Sequence, residues 1–282
     1  MTMKFRVAFQ GEHGAFSEQA SHEYFSKTTA TLPIKTFEGV FSSVKRGTAR
    51  YGIIPIENSL FGSIHQNYDL LQQFDVKIVG EVKLRIVHAL MVQPRVTLKD
   101  IKYVYSHPQA LGQCDQFLRG LKGVDTVAMY DTAGAAKMIG DNRRTDAAAI
   151  ASVEAAKVYG LRILCAGIEN DHKNFTRFLV LGKRSRVQRK NAKTSIIFSL
   201  KNDPGALFKA LSVFALREIN LYKIESRPLV GKPWEYTFYL DFKGSVEDEV
   251  CKNALDHLRE IAAYIKILGS YPEGKTVSRI SS

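Results

Sequence analysis

Between about residues 4 and 182, short apolar runs alternate with stretches whose apolar residues recur at helical spacing. That alternation constrains the fold most, because strand–helix repetition builds an α/β sheet. Residues 5–9, 51–56, 104–105, 124–128, 147–150 and 163–164 read as strands. Residues 17–25, 64–74 and segments starting near Gln109, Ala133 and Val153 read as helices. Residues 77–92 form two strand-like runs with almost no break, as where a chain crosses from one α/β lobe to another. Residues 176–181 are placed to be the return strand. Two lobes joined by two crossings leave a cleft, and ligands bind in such clefts at strand ends.

Residues from about 194 to 272 follow another plan. A strand at 195–200 precedes Asp203, an expected N-cap, and Pro204 at the first helical position. Leu207, Ala210, Leu211, Phe214 and Ala215 then keep helical spacing. After a strand at 221–227, Trp234, Tyr236, Phe238, Leu240 and Phe242 alternate strictly, the mark of a half-buried strand. A helix carrying Val250, Ala254, Leu258 and Ile261 and a strand at 264–268 complete a ferredoxin-like βαββαβ order. That order hosts many functions and identifies none. The expected division is 1–183, a linker at 184–193, and 194–282.

The net charge is +12, and six of those charges fall together: Lys183, Arg184, Arg186, Arg189, Lys190 and Lys193, with no acid among them. They read as a solvated linker rather than a nucleic-acid surface. A basic balance also suits a small dianionic substrate through steering. Hydrophobic content of 45% with 24% charged residues excludes a disordered chain. The longest apolar run, 84–92, is broken by Arg85 and His88, so no membrane partner is expected. No signal-peptide core opens the chain. Cys114, Cys165 and Cys251 are odd in number and far apart. They fit neither a disulfide framework nor a zinc site, and suit a reducing cytoplasm.

Four loop segments carry polar residues where strands end: 11–17 (Gly-Glu-His-Gly-Ala-Phe-Ser), 57–59 (Glu-Asn-Ser), 106–111 (Ser-His-Pro-Gln-Ala-Leu) and 174–178 (Asn-Phe-Thr-Arg-Phe). Singly, each has a plain reading as a turn, a helix cap or a strand end. The first opens a helix, whose free N–H groups can meet an anion. In the last, Thr176 is a small neutral donor and Arg177 a fork matched to a carboxylate. Neighbours on a strand point to opposite faces, so the two reach one ligand only if the backbone bends or ends there.

Together these segments resemble prephenate dehydratase. The resemblance spans nearly the whole chain: Gly-Ala-Phe-Ser at 14–17, Pro-Ile-Glu-Asn-Ser at 55–59, then 106–111 and 174–178 in the family's order. The C-terminal module resembles the family's ACT regulatory domain, with phenylalanine-sensing motifs at Gly205-Ala206-Leu207 and Glu225-Ser226-Arg227-Pro228. One departure is Glu12-His13, where many members have proline in the first turn. No fused chorismate mutase or nicotinamide-dependent dehydrogenase is expected.

The resemblance implies a two-lobed, periplasmic-binding-protein-like catalytic domain followed by an ACT domain. It implies loss of carbon dioxide and water from prephenate to give phenylpyruvate, without metal or cofactor. Thr176 is the expected donor to the leaving hydroxyl. Asn58 and Gln109 hold the substrate or that hydroxyl, and Glu57 either orients them or acts, protonated, as the acid. Arg177 is expected to anchor one carboxylate, with Ser17, Ser59, Asn174 and Phe178 completing the pocket. His13, His107 and His172 read as solvent-facing rather than catalytic. Phenylalanine is expected to bind at Gly205, Ala206, Leu207, Glu225, Ser226 and Arg227, in a homodimer or dimer of dimers. The competing readings are an arogenate dehydratase, with an amino-bearing side chain on its substrate, and a non-catalytic two-lobed amino-acid-binding protein.

Overall fold

The computed structural model describes residues 5–185, 187–229 and 235–278. Arg186 and Trp234, both used in the sequence reading, lie outside these. In the first lobe β1 (Arg6–Gln10), β2 (Ala30–Ile34) and β3 (Tyr51–Asn58) run parallel, linked by α1 (Phe16–Tyr24) and α2 (Phe37–Arg46). β4 (Gly62–Ser63), α3 (His65–Gln73) and β5 (Lys77–Arg85) follow.

The chain then crosses into a second lobe. It contains β6 (Ala89–Val92), β7 (Tyr103–Ser106), α4 (Pro108–Gln113), α5 (Asp115–Arg119), β8 (Asp125–Ala128), α6 (Thr132–Asp141), β9 (Ala147–Ala151), α7 (Val153–Val158) and β10 (Arg162–Ala166). Its sheet order is β10-β6-β9-β7-β8. β11 (Phe175–Gly182) returns and inserts between β5 and β3, antiparallel to both. The crossings run side by side: the Ile86 amide donates to Asn174 O (2.8 Å) and the Gly167 amide to His88 O (2.9 Å). The lobes also touch at Gly14, whose missing Cβ would lie 2.5 Å from Ala155 Cα. Only glycine permits that approach.

One irregularity sets the face of the site. Thr176 pairs with Asn58 and Arg177 with Glu57, but Phe178 pairs with Pro55. β3 therefore carries one extra residue, a β-bulge at Ile56-Glu57. Bulges re-aim side chains. Here Pro55 and Asn58 both face the cleft, while Ile56 and Glu57 both turn to the opposite face.

The C-terminal module is β12 (Ala192–Ser199), α8 (Ala206–Ala215), β13 (Leu221–Pro228), β14 (Tyr236–Lys243), α9 (Glu249–Ile261) and β15 (Tyr264–Pro272). Its all-antiparallel order, β13-β14-β12-β15, is ferredoxin-like. The N-cap of α8 is Gly205 rather than the expected Asp203, whose carbonyl instead accepts from the Ala206 amide (3.1 Å).

The junction between modules is a shared core. Ile56, Tyr68, Leu71, Ile78 and Leu179 of the first lobe cluster with Ile197, Tyr239, Leu268 and Tyr271 of the C-terminal sheet. Lys266 Nζ donates to the last carbonyls of α3, Leu71 O (2.9 Å) and Gln72 O (3.2 Å), and to Phe74 O (2.8 Å). β16 (Thr276–Val277) returns to pair with β5. The basic run is not wholly a solvated linker either. Lys183, Arg184, Arg189 and Lys190 are exposed, but Lys193 is buried within β12, with its ammonium on both oxygens of Glu81.

Candidate active site

The interlobe cleft holds a cavity of about 400 Å³, reached by Ser17, Asn58, Gln109, Thr176 and Phe178 among the expected residues. Asn58 and Thr176 define its polar edge. Asn58 Oδ1 accepts from the amides of Leu60 (3.0 Å) and Phe61 (3.1 Å), which fixes the orientation of the amide. Its Nδ2 then donates to Thr176 Oγ1 (3.0 Å), Asn174 Oδ1 (2.7 Å) and Phe175 O (3.2 Å). With Thr176 oxygen accepting from Asn58, the threonine's own hydrogen is left to donate.

Across the cleft, the second lobe and the crossing supply His88, Gln109, Gln113 and Asp131. His88 is buried, with Nε2 2.6 Å from Gln113 Oε1 and its ring edge-on to Phe16. Burial lowers its pKa, against the Gln113 bond and the charge of Glu169, so the ring is neutral at pH 7. Burial lowers His107 as well. His107 lines the cleft, contrary to the solvent-facing expectation, and its Nδ1 accepts from the Gln109 amide (3.2 Å). The start of α1 forms another wall through Ala15, Phe16 and Ser17. Its N-cap, Ala15, offers no side-chain oxygen to the first amides of the helix. None of the described residues lining the cavity is lysine or arginine.

This arrangement can be set beside known proteins. The sequence model of the prephenate dehydratase (PDT) family matches residues 7–186. A chloroplastic arogenate dehydratase/prephenate dehydratase of Arabidopsis thaliana is 48% identical over 96% of this chain and 74% of its own length. The chain belongs to the prephenate dehydratase family. Its members are dehydratases, carbon–oxygen lyases. Among solved structures, the prephenate dehydratase of Arthrobacter aurescens in complex with L-Phe superposes with a TM-score of 0.87. It is 28% identical, over 95% of this chain and 90% of that one. GqqA, described as a quorum quenching acylase, matches equally well, at 34% identity over 95% and 98% of the two chains.

The relatives overturn the cytoplasmic expectation, since five from Arabidopsis are chloroplastic. Unpaired thiols report a reducing medium, not the compartment that supplies it. Among the described residues, no cluster of three or more His, Cys, Asp or Glu side chains could hold a metal.

Within this prephenate dehydratase fold, Arg177 is not where a carboxylate anchor would be. β11 keeps strict alternation, so Thr176 and Phe178 face the cleft and Arg177 faces the C-terminal sheet. Its Nε donates to Glu81 (2.7 Å), and its terminal nitrogens donate to Glu57 (3.2 Å), Asp241 (2.6 Å) and Tyr271 Oη (3.4 Å). Burial opposes the charge, but Asp241, Tyr271, Glu81 and Glu57 together hold Arg177 protonated. Glu57 also departs from the expected role. Burial would raise its pKa, yet the bond from Lys223 (2.6 Å) and the charges of Arg177 and Lys223 hold it below the usual range. An ionised Glu57 behind the sheet is no acid for the cleft. Ser59 and Asn174 do not line the cavity. Ser59 Oγ ties Lys173 O to the Phe175 amide (both 2.9 Å), and Asn174 is buried behind Asn58.

The two phenylalanine motifs also part company. Gly205, Ala206 and Leu207 line a cavity of about 200 Å³ with Leu200, Tyr236 and Phe238. Glu225 and Arg227 face the catalytic module instead. Glu225 bonds Ser63, with His65 at 3.2 Å, and Arg227 forks onto Asp69 (2.9 and 3.1 Å). Ser226, paired with Phe238, is exposed on the sheet face that carries Phe238.

Proposed function

We propose that the cleft carries out decarboxylating dehydration of a prephenate-type cyclohexadiene: prephenate to phenylpyruvate, and arogenate, which bears an amino group in place of the keto group, to phenylalanine. The observation that carries this reading is the Asn58–Thr176 hydrogen bond. The reaction breaks the bond to the ring carboxylate, sends that electron pair through the diene, and expels the opposite hydroxyl, which needs one proton to leave as water. Aromatisation drives it. A threonine whose oxygen already accepts from Asn58 presents its hydrogen to that leaving group. Gln109 is a second neutral donor on the facing wall.

The start of α1, with the Ser17 hydroxyl, would hold the side-chain carboxylate. The carboxylate to be lost would lie against Phe16, Ile86 and Phe178, where poor solvation makes its loss as neutral carbon dioxide easier. A wall without lysine or arginine among the described residues fits that need, because a guanidinium there would stabilise the ground state. Purified protein given each acid, with the products separated chromatographically, tests the assignment. Formation of neither phenylpyruvate nor phenylalanine would favour the binding-protein reading.

The C-terminal module would act as an ACT domain, with phenylalanine in the cavity at Gly205. The Arthrobacter relative was solved with L-Phe, which supports this reading. β13 ends its sheet, and Tyr222 and Ile224 on it are exposed. A second copy pairing there would give a homodimer or a dimer of dimers.

A further inference from the structure

Among the described residues that line the cleft, one is acidic, Asp131, and none is lysine or arginine. Asp131 caps α6 through Oδ1, which accepts from the Gly134 amide (2.6 Å). Its Oδ2 is buried and makes no hydrogen bond, although the Glu12 and Ala133 amides lean toward the carboxylate. The ammonium nearby is already used, since Lys137 donates to Glu12 (2.9 Å). A buried carboxylate oxygen without a partner is costly, and a ligand cation relieves it.

Gly11 shows what kind of ligand. A Cβ on Gly11 would lie 3.3 Å from Asp131 Oδ2 and 3.4 Å from Ala15 Cβ. Glycine at this position thus lets the carboxylate and the start of α1 stand close together, and Gly11, Ala15 and Asp131 all border the cavity. A helix start attracts an anion and a free carboxylate attracts a cation. The two charges lie a few ångströms apart, as they do in the head group of a zwitterionic amino acid.

We propose that Asp131 is a specificity-determining residue that reads the substrate's side chain, pairing with an α-ammonium and so favouring arogenate over prephenate. This rests on the dehydratase reading and refines it. Burial first, then the charge of Glu12, raises the Asp131 carboxyl against the pull of the Gly134 amide, which agrees with a group that lacks its cation. A keto group has no hydrogen to give and would leave Oδ2 unsatisfied.

The test is the ratio of kcat/KM for arogenate to that for prephenate, in the wild type and in Asp131→Asn. Asparagine is an equally good N-cap, so α6 keeps its start; circular dichroism checks the fold. Wild type should prefer arogenate, and the variant should lower the ratio about tenfold or more through the KM for arogenate. A ratio unchanged in the variant would reduce Asp131 to a helix cap. A wild type that prefers prephenate, with that preference lost in the variant, would mean a protonated Asp131 donating to the keto oxygen, and overturns the assignment. A wild type inert on both acids fails the dehydratase reading itself, and this assignment with it.

Discussion

Thr176 and Arg177 are sequence neighbours on β11 that serve opposite faces of one sheet. Thr176 Oγ1 accepts from Asn58 at the cleft, while Arg177 bridges Glu57, Glu81 and Asp241 at the junction with the C-terminal module. Their cross-strand partners, Asn58 and Glu57, are also neighbours and alternate to the same two faces, just past the bulge in β3. Two residues on each of two paired strands therefore connect the proposed chemistry to the module behind it.

The first prediction separates the donor from its orienting partner. Thr176→Val keeps the shape and removes the hydroxyl, and kcat should fall on the order of 10²–10³. Thr176→Ser should retain most of the rate. Asn58→Asp still accepts from Leu60 and Phe61 but offers Thr176 an acceptor, so the threonine hydrogen turns away from the cleft. Its kcat should drop nearly as far as that of the valine variant. Wild-type turnover in Asn58→Asp would break the link between that hydrogen bond and catalysis.

The second concerns Arg177. Arg177→Met leaves Glu57, Glu81 and Asp241 facing one another with Lys193 and Lys223 as their counter-ions among the described residues. Removing one partner of a buried ion network destabilises by about 3–5 kcal/mol. Urea unfolding should show that loss, and Arg177→Lys, lacking the fork, should show a large part of it. A stable Arg177→Met variant with a raised KM would restore the carboxylate-anchor role.

Much of this was legible beforehand, and what was not has physical causes. Strand and helix order in both modules followed from periodicity. β2 escaped notice because it is a half-exposed strand containing Pro33. α2 was missed although its signals are plain: Thr36 as cap, Val40, Phe41 and Val44 on one face, and Gly47 at the end. Alternation allows Thr176 and Arg177 to share a ligand only if the backbone bends or ends there, and the expectation of Arg177 as an anchor required that bend. What the sequence could not show was that the irregularity lies in β3, so that Asn58 rather than Arg177 joins Thr176. Asp131 could have been found as an N-cap ahead of 132–136, Thr-Ala-Gly-Ala-Ala. Its free oxygen depends on packing against Gly11 from the other lobe. Glu225 and Arg227 were placed on the ligand's side because nothing in a half-exposed strand says which face meets a neighbouring domain.

The third prediction is the acid response of the junction. Glu57 and Asp241 both titrate below their ordinary values of 4.5 and 3.8. Burial opposes this in each, but Lys223 and Arg177 outweigh it at Glu57, and Arg177 and Lys193 at Asp241. The unfolded chain thus binds protons first as pH falls. Their contribution is present above the ordinary values and is lost as pH falls through the lower folded ones. Unfolding free energy should decline as pH falls below about 4.5, and less steeply in Arg177→Met, where the stabilising charge is gone. Parallel slopes in the two proteins would remove the junction as the cause.

The fourth concerns separability. A fragment ending before Ala192 would expose Ile56, Leu71 and Ile78 and leave Glu81 and Arg177 without Lys193 and Asp241. It should aggregate or lose cooperative unfolding rather than persist as an unregulated enzyme. A soluble, cooperatively folded fragment with full turnover would show that the shared core is dispensable.

The last prediction joins the two modules energetically. If phenylalanine at Gly205 inhibits, it must favour a state with a poorer cleft. Lys223 is placed to carry the difference, since its ammonium bonds Glu57 (2.6 Å) behind Asn58, lies 3.4 Å from Glu225, and donates to Ser63 (3.1 Å). Linkage requires that a substrate analogue weaken phenylalanine binding by the factor with which phenylalanine weakens the analogue, about 5–150-fold for typical coupling. Calorimetry with and without the analogue measures that factor. Lys223 does not line the Gly205 cavity, so Lys223→Met should leave phenylalanine's affinity for the free protein nearly intact while the factor falls toward one. A factor unchanged in Lys223→Met would place the coupling elsewhere on the junction. A factor of one in the wild type, with both sites occupied, would sink the two-state account even if phenylalanine inhibits.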